Sequence, residues 1–250
     1  MENKRKKVLI VILVCVAILI IFLSCVFLKI IKINTLFIRN YPVRGVDVSH
    51  YQGEIDWEVL ASQGIDFAYI KATEGSSFMD DKFASNWENA AQTSLKIGAY
   101  HFFSFDSEGE SQAENYIQSA GSLEGKLIPV VDVEYYGDKF TNPPEKSAVV
   151  TELADMLLAL EQEYGVKPMI YTTYVVYYKY LQGEFDEYPL WIRNVYFSPD
   201  VNLKDKWTLW QYSDTEVLEG YTGQENCIDV NVFCGSMEEL EGLIVKDSKD

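Results

Sequence analysis

The stretch LIPVVDVEYYGD, residues 127–138, combines the pattern of a buried strand with two acidic side chains. An apolar run leads directly to Asp132 and Glu134, which are separated by one valine. Because successive side chains of a strand point to opposite faces, the two carboxyl groups lie on the same side. Burial of a charged group is costly unless it is paired. The stretch therefore predicts a strand over 127–134 whose carboxyl end carries a chemical function.

Seven other short segments have the composition of buried strands. They lie at residues 45–50, 67–73, 97–103, 168–173, 189–194, 207–213 and 228–233. Helical patterns separate the early strands, at 54–64, 81–96 and 145–164. Alternation of strands and helices implies a parallel sheet covered by helices, and eight strands suggest a closed barrel. Because the helical patterns thin out along the chain, we expect an α/β fold, an irregular TIM-like (β/α) barrel.

The N-terminal segment has the character of a membrane span. Residues 8–28 carry no charge and are long enough to cross a bilayer as one helix. Basic residues at positions 4–7 precede them, so the N-terminus is expected in the cytoplasm and the remainder outside. A signal peptide usually has a shorter apolar region, and lipoprotein cleavage at Cys25 is the weaker alternative. The predicted bounds are a cytoplasmic tail 1–7, a transmembrane helix 8–31, a linker 32–43, a barrel 44–240 and a C-terminal tail 241–250.

Charge and cysteine content exclude several classes of partner. The whole chain carries −17, and residues 1–37 hold six basic side chains and one acid, so residues 38–250 carry −22. Such a surface argues against nucleic acid and against anionic lipid. Cys227 and Cys234 flank a predicted strand, which would separate them by about 20 Å, too far for a disulfide. There is no Cys/His cluster for zinc. We expect no cofactor and no required metal.

Polar side chains recur at the strand ends, where β/α barrels place their working residues. Asp47 and Asp229 belong to the first and last strands, which are neighbours if the barrel closes. With Asp132 and Glu134 they would form a ring of four carboxylates. Perturbed acids cluster at functional sites, and a buried acid with a raised pKa can donate a proton to a leaving oxygen. A calcium site would also use several oxygen ligands, but the chain has no contiguous calcium loop.

Further residues near the predicted rim suit a sugar substrate. Flat aromatic rings can stack on the apolar faces of sugars, although plain packing accounts equally well for any one of them. Lys71 and Glu74 are either a structural ion pair or substrate contacts. The predicted substrate-binding residues are Tyr100, Tyr136, Lys71, Glu74, Trp191 and Gln211.

Five ordered blocks of the outer domain carry a family resemblance. They are RGVDVSHYQGEIDW (44–57), AYIKATEGSSF (68–78), GAYHFF (98–103), PVVDVE (129–134), and WQYS (210–213) together with IDVNVF (228–233). In this order and spacing they resemble the glycoside hydrolase family 25 lysozymes, the Chalaropsis-type N-acetylmuramidases. The resemblance spans nearly the whole outer domain, which makes it far more specific than any single block.

The resemblance implies hydrolysis of the β-1,4 bond between N-acetylmuramic acid and N-acetylglucosamine in peptidoglycan. Together with the N-terminal apolar segment, it predicts an enzyme held at the bacterial cell membrane. It assigns Glu134 as the proton donor, Asp132 as its partner, and Asp47 and Asp229 as supporting acids. One departure is Arg193, where the family more often has a small residue. We hypothesise retention of configuration through the substrate's 2-acetamido group. A chitinase-like glycosidase and a catalytically inactive, membrane-tethered wall-binding module remain as alternatives.

Overall fold

Eight strands close into a barrel in the computed structural model, which describes residues 2–203 and 206–246. The strands are β1 (Arg44–Val48), β2 (Phe67–Glu74), β3 (Phe78–Met79), β4 (Lys96–Phe102), β5 (Val130–Val133), β6 (Met169–Thr173), β7 (Leu190–Arg193), β8 (Leu209–Glu216) and β9 (Ile228–Phe233). Around the barrel the order is β1, β2, β4, β5, β6, β7, β8 and β9, and β9 returns to β1. The short β3 pairs with the end of β2 outside the barrel. The predicted barrel is confirmed.

The barrel is mixed rather than wholly parallel. Neighbouring strands from β1 to β8 run parallel, whereas β9 is antiparallel to both β8 and β1. Only residues 217–227 connect β8 to β9, and a parallel crossover needs a dozen or more residues. As a result β9 begins at the rim where the parallel strands end. This places Asp229, near its start, directly opposite Asp47 of β1.

The helices cover the outside of the barrel unevenly. They are α1 (Glu2–Phe27), α2 (Trp57–Ala61), α3 (Phe83–Ala90), α4 (Gly109–Ala120), α5 (Lys146–Tyr164), α6 (Tyr174–Val176), α7 (Asp200–Leu203) and α8 (Met237–Glu241). The helix predicted at 145–164 is confirmed as α5, while those at 54–64 and 81–96 are shorter than predicted. Helix α4 was not predicted. The expected thinning toward the chain end is present, since α6 and α7 are single short turns.

Aromatic rings fill the barrel below the rim. The ring of Trp191 lies 5.2 Å from that of Tyr69 and 5.0 Å from that of Tyr171. Gly45 makes room for this layer, because a Cβ atom there would come within 2.2 Å of the Phe67 ring. The barrel interior is therefore a packed core, as in other β/α barrels, and leaves the rim as the place for a site.

The N-terminal helix is followed by chain that packs on the barrel. In the described part of the chain, one helix, Lys4–Phe27, is long and apolar enough to cross a membrane by length and composition. The side-chain amide of Asn34 is buried and donates to the carbonyl oxygens of Asn194 and Tyr212, at 2.9 and 2.7 Å. Part of the predicted linker 32–43 thus lies against the β7 and β8 side of the barrel.

The C-terminal segment also contacts the barrel. The backbone of residues 243–245 exchanges hydrogen bonds with residues 125–128, and Val245 is buried. The first part of the predicted tail 241–250 therefore packs beneath β5, and residues 247–250 lie outside the described residues. Cys227 and Cys234, at opposite ends of β9, are both free thiols.

Candidate active site

A groove in two connected parts crosses the rim at which the parallel strands end. The first part encloses about 280 Å³ and the second about 890 Å³. Both parts are lined by Glu134, Tyr171, Glu225 and Asp229. Because Glu134 stands at the junction, an extended substrate can lie on both sides of its carboxyl group.

Strand β5 delivers Asp132 and Glu134 to this groove. Asp132 sits opposite Tyr171 of β6, and Glu134 is the first residue beyond the strand. Asp132 is buried, and its Oδ1 atom has no hydrogen-bond partner among the described residues. Burial raises the pKa of both carboxyl groups, and the charge of Glu134 raises that of Asp132 further. Two neighbouring acids in this setting do not both ionise readily, so the pair holds a proton.

The second pair of acids, Asp47 and Asp229, is bridged by amides. The Nε2 atom of Gln211 lies 3.1 Å from Oδ1 of Asp47 and 3.2 Å from Oδ2 of Asp229. Asn231 donates to Oδ1 of Asp47 at 2.7 Å. Burial raises the pKa of Asp47, while burial and the charge of Asp47 together raise the pKa of Asp229 to about 9. Since Asp47 accepts more amide hydrogens, its ionised form is favoured and the proton of this pair resides on Asp229.

A buried layer below the pair orients the two amides. The Trp191 indole N–H donates to Oδ1 of Asn231 at 2.9 Å, and the Tyr171 hydroxyl donates to Oε1 of Gln211 at 2.9 Å. Each amide oxygen is thereby engaged from below, which turns the amide nitrogen toward the carboxylates. Gln211, which is 1 % exposed, serves the site through Asp47 and Asp229 and does not line the groove.

Two cations face the acids from opposite sides. Lys71 of β2 is nearly buried, and its Nζ atom donates to Glu74 at 2.7 Å and lies 4.9 Å from the centre of the Phe102 ring. Its charge lowers the pKa of Asp132 against the larger effect of burial. Arg193 ends β7 and donates to Oδ2 of Asp214 at 2.6 Å. Both cations hold back the rise in the pKa of Glu134.

Most of the predicted site residues come together in the structure. The first part of the groove is lined by seven of the ten, namely Asp47, Asp132, Glu134, Asp229, Tyr100, Lys71 and Trp191. Glu74 and Tyr136 line neither part. The Tyr136 hydroxyl instead accepts the backbone N–H of Phe105 at 3.0 Å and lies 3.1 Å from Asp106, so it holds the loop after β4. Their direct contact with substrate stays a prediction.

The predicted set missed several groove residues, of which Tyr171, Arg193 and Glu225 bear most directly on the acids. Tyr171 lies in a strand that was predicted, and its position opposite Asp132 became evident only from the sheet register. Arg193 was noted only as a departure from the family pattern, although its place at a strand end was a usable signal. Glu225 comes from the exposed β8–β9 connection, and no local pattern marks it.

Comparison with known proteins agrees with this arrangement. The chain matches the sequence profile of glycosyl hydrolases family 25 over residues 46–221. It is 47% identical to a family 25 glycosyl hydrolase from Bacillus anthracis of known structure, covering 82% of this chain and 94% of that one, with a TM-score of 0.77. It is 35% identical to the uncharacterized protein YegX of Escherichia coli O6:H1, over 82% of this chain and 74% of that protein. It is 33% identical to Lysozyme M1 of Streptomyces globisporus, over 80% of this chain and 71% of that protein. The chain is therefore a member of glycosyl hydrolase family 25.

Proposed function

We propose that this chain is a lysozyme that cleaves the β-1,4 bond between N-acetylmuramic acid and N-acetylglucosamine in peptidoglycan. The observation that carries the proposal is the position of Glu134, a largely buried acid with a raised pKa at the junction of a two-part groove. A glycosidic bond lying across that junction presents its oxygen to a group that can protonate it. Membership of glycosyl hydrolase family 25 and the similarity to Lysozyme M1 support the same function.

Glu134 is proposed as the general acid and then the general base. It protonates the leaving oxygen as the bond from the anomeric carbon breaks. Its carboxylate then accepts a proton from the water that attacks in the second step. Arg193 and Lys71 face the carboxylate left between these steps. Their charges stabilise the ionised acid, while burial keeps its pKa high enough for it to carry a proton at the start.

Asp132 is proposed to orient the 2-acetamido group of the substrate. Its Oδ1 atom is buried and has no partner within residues 2–203 and 206–246, and an acetamido N–H can supply the missing hydrogen bond. The acetamido oxygen then forms a bond to the anomeric carbon as the leaving oxygen departs, and water later breaks that bond. Two inversions at one carbon give net retention. Asp47 and Asp229 support this step through the charge they place near the reacting carbon.

The apolar helix α1 is proposed as a single-pass membrane anchor, with the N-terminus in the cytoplasm and the barrel outside, where peptidoglycan lies. Its length, the absence of charge over residues 8–27 and its exposed apolar side chains support an anchor. The basic residues 4–7 in its first two turns support the orientation. Recovery of the full chain from salt-washed membranes, before solubilisation in detergent, tests the anchor during purification. A shorter, soluble chain would contradict it.

The chemical test is digestion of purified peptidoglycan by the full chain and by Glu134→Gln. Mass spectrometry of the reduced products should show muropeptides that end in N-acetylmuramic acid. The variant should lose about 10³-fold in rate, because the general acid is gone. A matched control is Glu88→Gln, an exposed acid of α3, which should keep the wild-type rate.

Other products would redirect the proposal. Reducing ends of N-acetylglucosamine would make the chain a glucosaminidase. Turnover of chitin oligomers without muropeptide release would favour the chitinase-like alternative. Binding to wall fragments without release of sugars by either protein would favour the wall-binding module.

A further inference from the structure

The turn that ends helix α1 has an unusual residue. Lys29 adopts the left-handed conformation, with φ at 57°. Its N–H donates to the carbonyl of Val26, and the N–H of Ile30 donates to that of Cys25, both at 2.9 Å. This is the hydrogen-bond pattern of a helix end that usually has glycine at the left-handed position. A lysine there bears a conformational cost, so its side chain is the feature to explain.

The Lys29 side chain reaches the catalytic rim. Its Nζ atom lies 2.5 Å from Oδ2 of Asp214, near the rim end of β8. The same oxygen accepts a hydrogen bond from Arg193 at 2.6 Å. One carboxylate is thus shared by two cations, one from the catalytic rim and one from the chain just after the apolar helix.

The pairing of Asp214 determines how far its negative charge offsets the positive charge of Arg193 at the groove. Arg193 and Asp214 both line the second part of the groove, which Glu134 also lines. Without Lys29, the charge of Asp214 would cancel that of Arg193. With Lys29 in place, the three groups carry a net charge of +1 next to a strongly acidic site.

The contacts around Lys29 hold it in one place. Lys32 donates to Glu216 at 3.0 Å and to the carbonyl oxygen of Thr215 at 2.8 Å. The rings of Phe27 and Tyr196 stack with centres 6.3 Å apart. An isolated surface ion pair contributes little, because two long side chains must be ordered. Here the backbone on either side of Lys29 is already ordered against the rim, which removes much of that cost.

We propose that Lys29 is a positioning residue of the active site, which acts through Asp214 to hold Arg193 beside Glu134 with its positive charge uncompensated. The inference rests on the proposed role of Glu134 as the acid. It assigns the segment after α1 a part in catalysis in addition to that of a tether.

Charged or titratable side chains from every strand of the barrel line the groove beside Glu134. These side chains are Asp47 of β1, Lys71 of β2, Tyr100 of β4, Asp132 of β5, Tyr171 of β6, Arg193 of β7, Asp214 of β8 and Asp229 of β9, and the connections add Tyr51, Tyr135, Glu225 and Cys227. Removal of Lys29 leaves all of these in place and exposes the charge of Asp214. The pKa of Glu134 should therefore rise, and removal of Asp214 should lower it.

The test is the pH dependence of kcat/KM for the full chain in detergent. Lys29→Ala should move the alkaline limb upward by roughly half a pH unit, the size expected for one partly screened charge at this range. Asp214→Asn should move it downward, and Lys29→Arg should restore the wild-type profile. Lys32→Ala is the matched control, since it removes a cation from the same segment whose partner, Glu216, does not touch Arg193.

A second measurement does not depend on turnover. The carboxyl band of Glu134, identified by its loss in Glu134→Gln, can be titrated by difference infrared spectroscopy in each variant. Equal shifts of the Glu134 pKa in Lys29→Ala and Lys32→Ala, or no shift of that pKa in either variant, would overturn the inference. If wild type released no muropeptides, the proposed function would fail, while the infrared titration would still decide the role of Lys29.

Discussion

The rim holds two pairs of acids that differ in their neighbours. Asp47 and Asp229 are bridged by Gln211, whose amide oxygen is engaged in turn by the aromatic layer below. Asp132 and Glu134 receive no hydrogen bond to their carboxyl groups from the described residues, and Oδ1 of Asp132 is buried and unpaired. The carboxyl groups of Asp47 and Asp229 thus have hydrogen-bond donors within the protein. Those of Asp132 and Glu134 have none among the described residues and can accept hydrogen bonds from a substrate.

This difference in hydrogen bonding indicates which carboxyl groups have a structural role and which have a chemical one. A buried acceptor without a partner is destabilising, and a protein keeps such a group where function requires it. Oδ1 of Asp132 is such an acceptor, and a hydrogen-bond donor of the substrate would pair with it. The amide-bridged pair instead resembles a fixed source of charge, held at a set distance from the reacting atoms. The unpaired carboxyl groups of Asp132 and Glu134 therefore support the reacting roles proposed for them.

The largest effects should come from variants in which one acid of each pair is replaced by its amide, which test the difference between the two pairs directly. Asp132→Asn should lower kcat about 10²-fold, within the range for loss of an aligned polar group in an active site. It should also stabilise the fold by about 1 kcal/mol, because a buried unpaired acid is removed. Asp47→Asn should destabilise by about 1–3 kcal/mol, since its new NH₂ group would meet the donors of Gln211 and Asn231. Steady-state kinetics and urea unfolding measure both effects.

The two variants control for each other. Equal stability changes in Asp132→Asn and Asp47→Asn would remove the distinction between the pairs. Proton NMR of the first product should show the retained anomer for wild type. An inverted product would contradict assistance by the acetamido group and, with it, the proposed role of Asp132.

A smaller effect should follow from removal of the bridge itself. Gln211→Leu leaves Asp47 with one amide donor and the Tyr171 hydroxyl without its acceptor. We expect a loss of about 2 kcal/mol in stability, seen as a fall in Tm of roughly 4–8 °C, with about a tenfold loss of kcat.

The matched control for the bridge is Gln112→Leu. Gln112 is equally buried and makes four hydrogen bonds, but it lies at α4, away from the groove. It should lose similar stability and keep the wild-type kcat. A similar loss of kcat in both variants would mean that the bridge has no specific role.

The place of Asp132 and Glu134 at the groove was predictable from the sequence, and the charged groups around them were not. Alternation along one apolar strand places Asp132 and Glu134 on one side, which is a local property of the chain. The Lys29–Asp214 pair joins residues 185 positions apart, and no local pattern contains it. Arg193 could be seen at a strand end, but its sharing of Asp214 depends on how β7 lies beside β8.

The fold was also predictable where it depends on local sequence patterns and not where it depends on long-range contacts. Strand positions follow from composition, so the eight-stranded barrel was correctly predicted. The direction of β9 depends on the length of one connection, which strand patterns do not include. Helix α4 has only a few small and aromatic residues on its buried face, such as Ala113 and Tyr116, and therefore lacks a strong apolar stripe. Sequence patterns thus describe elements better than the long-range contacts between them.

The effect expected to be smallest per step of the experiment is a slope in stability with pH, which reports on the pair bridged by Gln211. The pKa of Asp229 is about 9 in the folded chain, well above that of an unfolded aspartate. A raised pKa in an acid contributes stability at low pH that is lost as the pH rises through the folded value. The buried His101 acts on the other side, because burial lowers its pKa to about 4 and its contribution is lost as the pH falls below 6.5.

Between pH 6.5 and 9 the histidine contribution is constant, so that window isolates the acids. The free energy of unfolding should fall there by about 1 kcal/mol per pH unit, below the limit of about 1.4 for a single group. Asp229→Asn should reduce the slope by at least about half, since the proton that titrates in this pair resides on Asp229. Urea unfolding of wild type and variant at several pH values measures the slope of the free energy of unfolding with pH. An unchanged slope in the variant would place that proton on Asp132 and Glu134 instead, and the charge of the bridged pair would then be fixed across the working pH range.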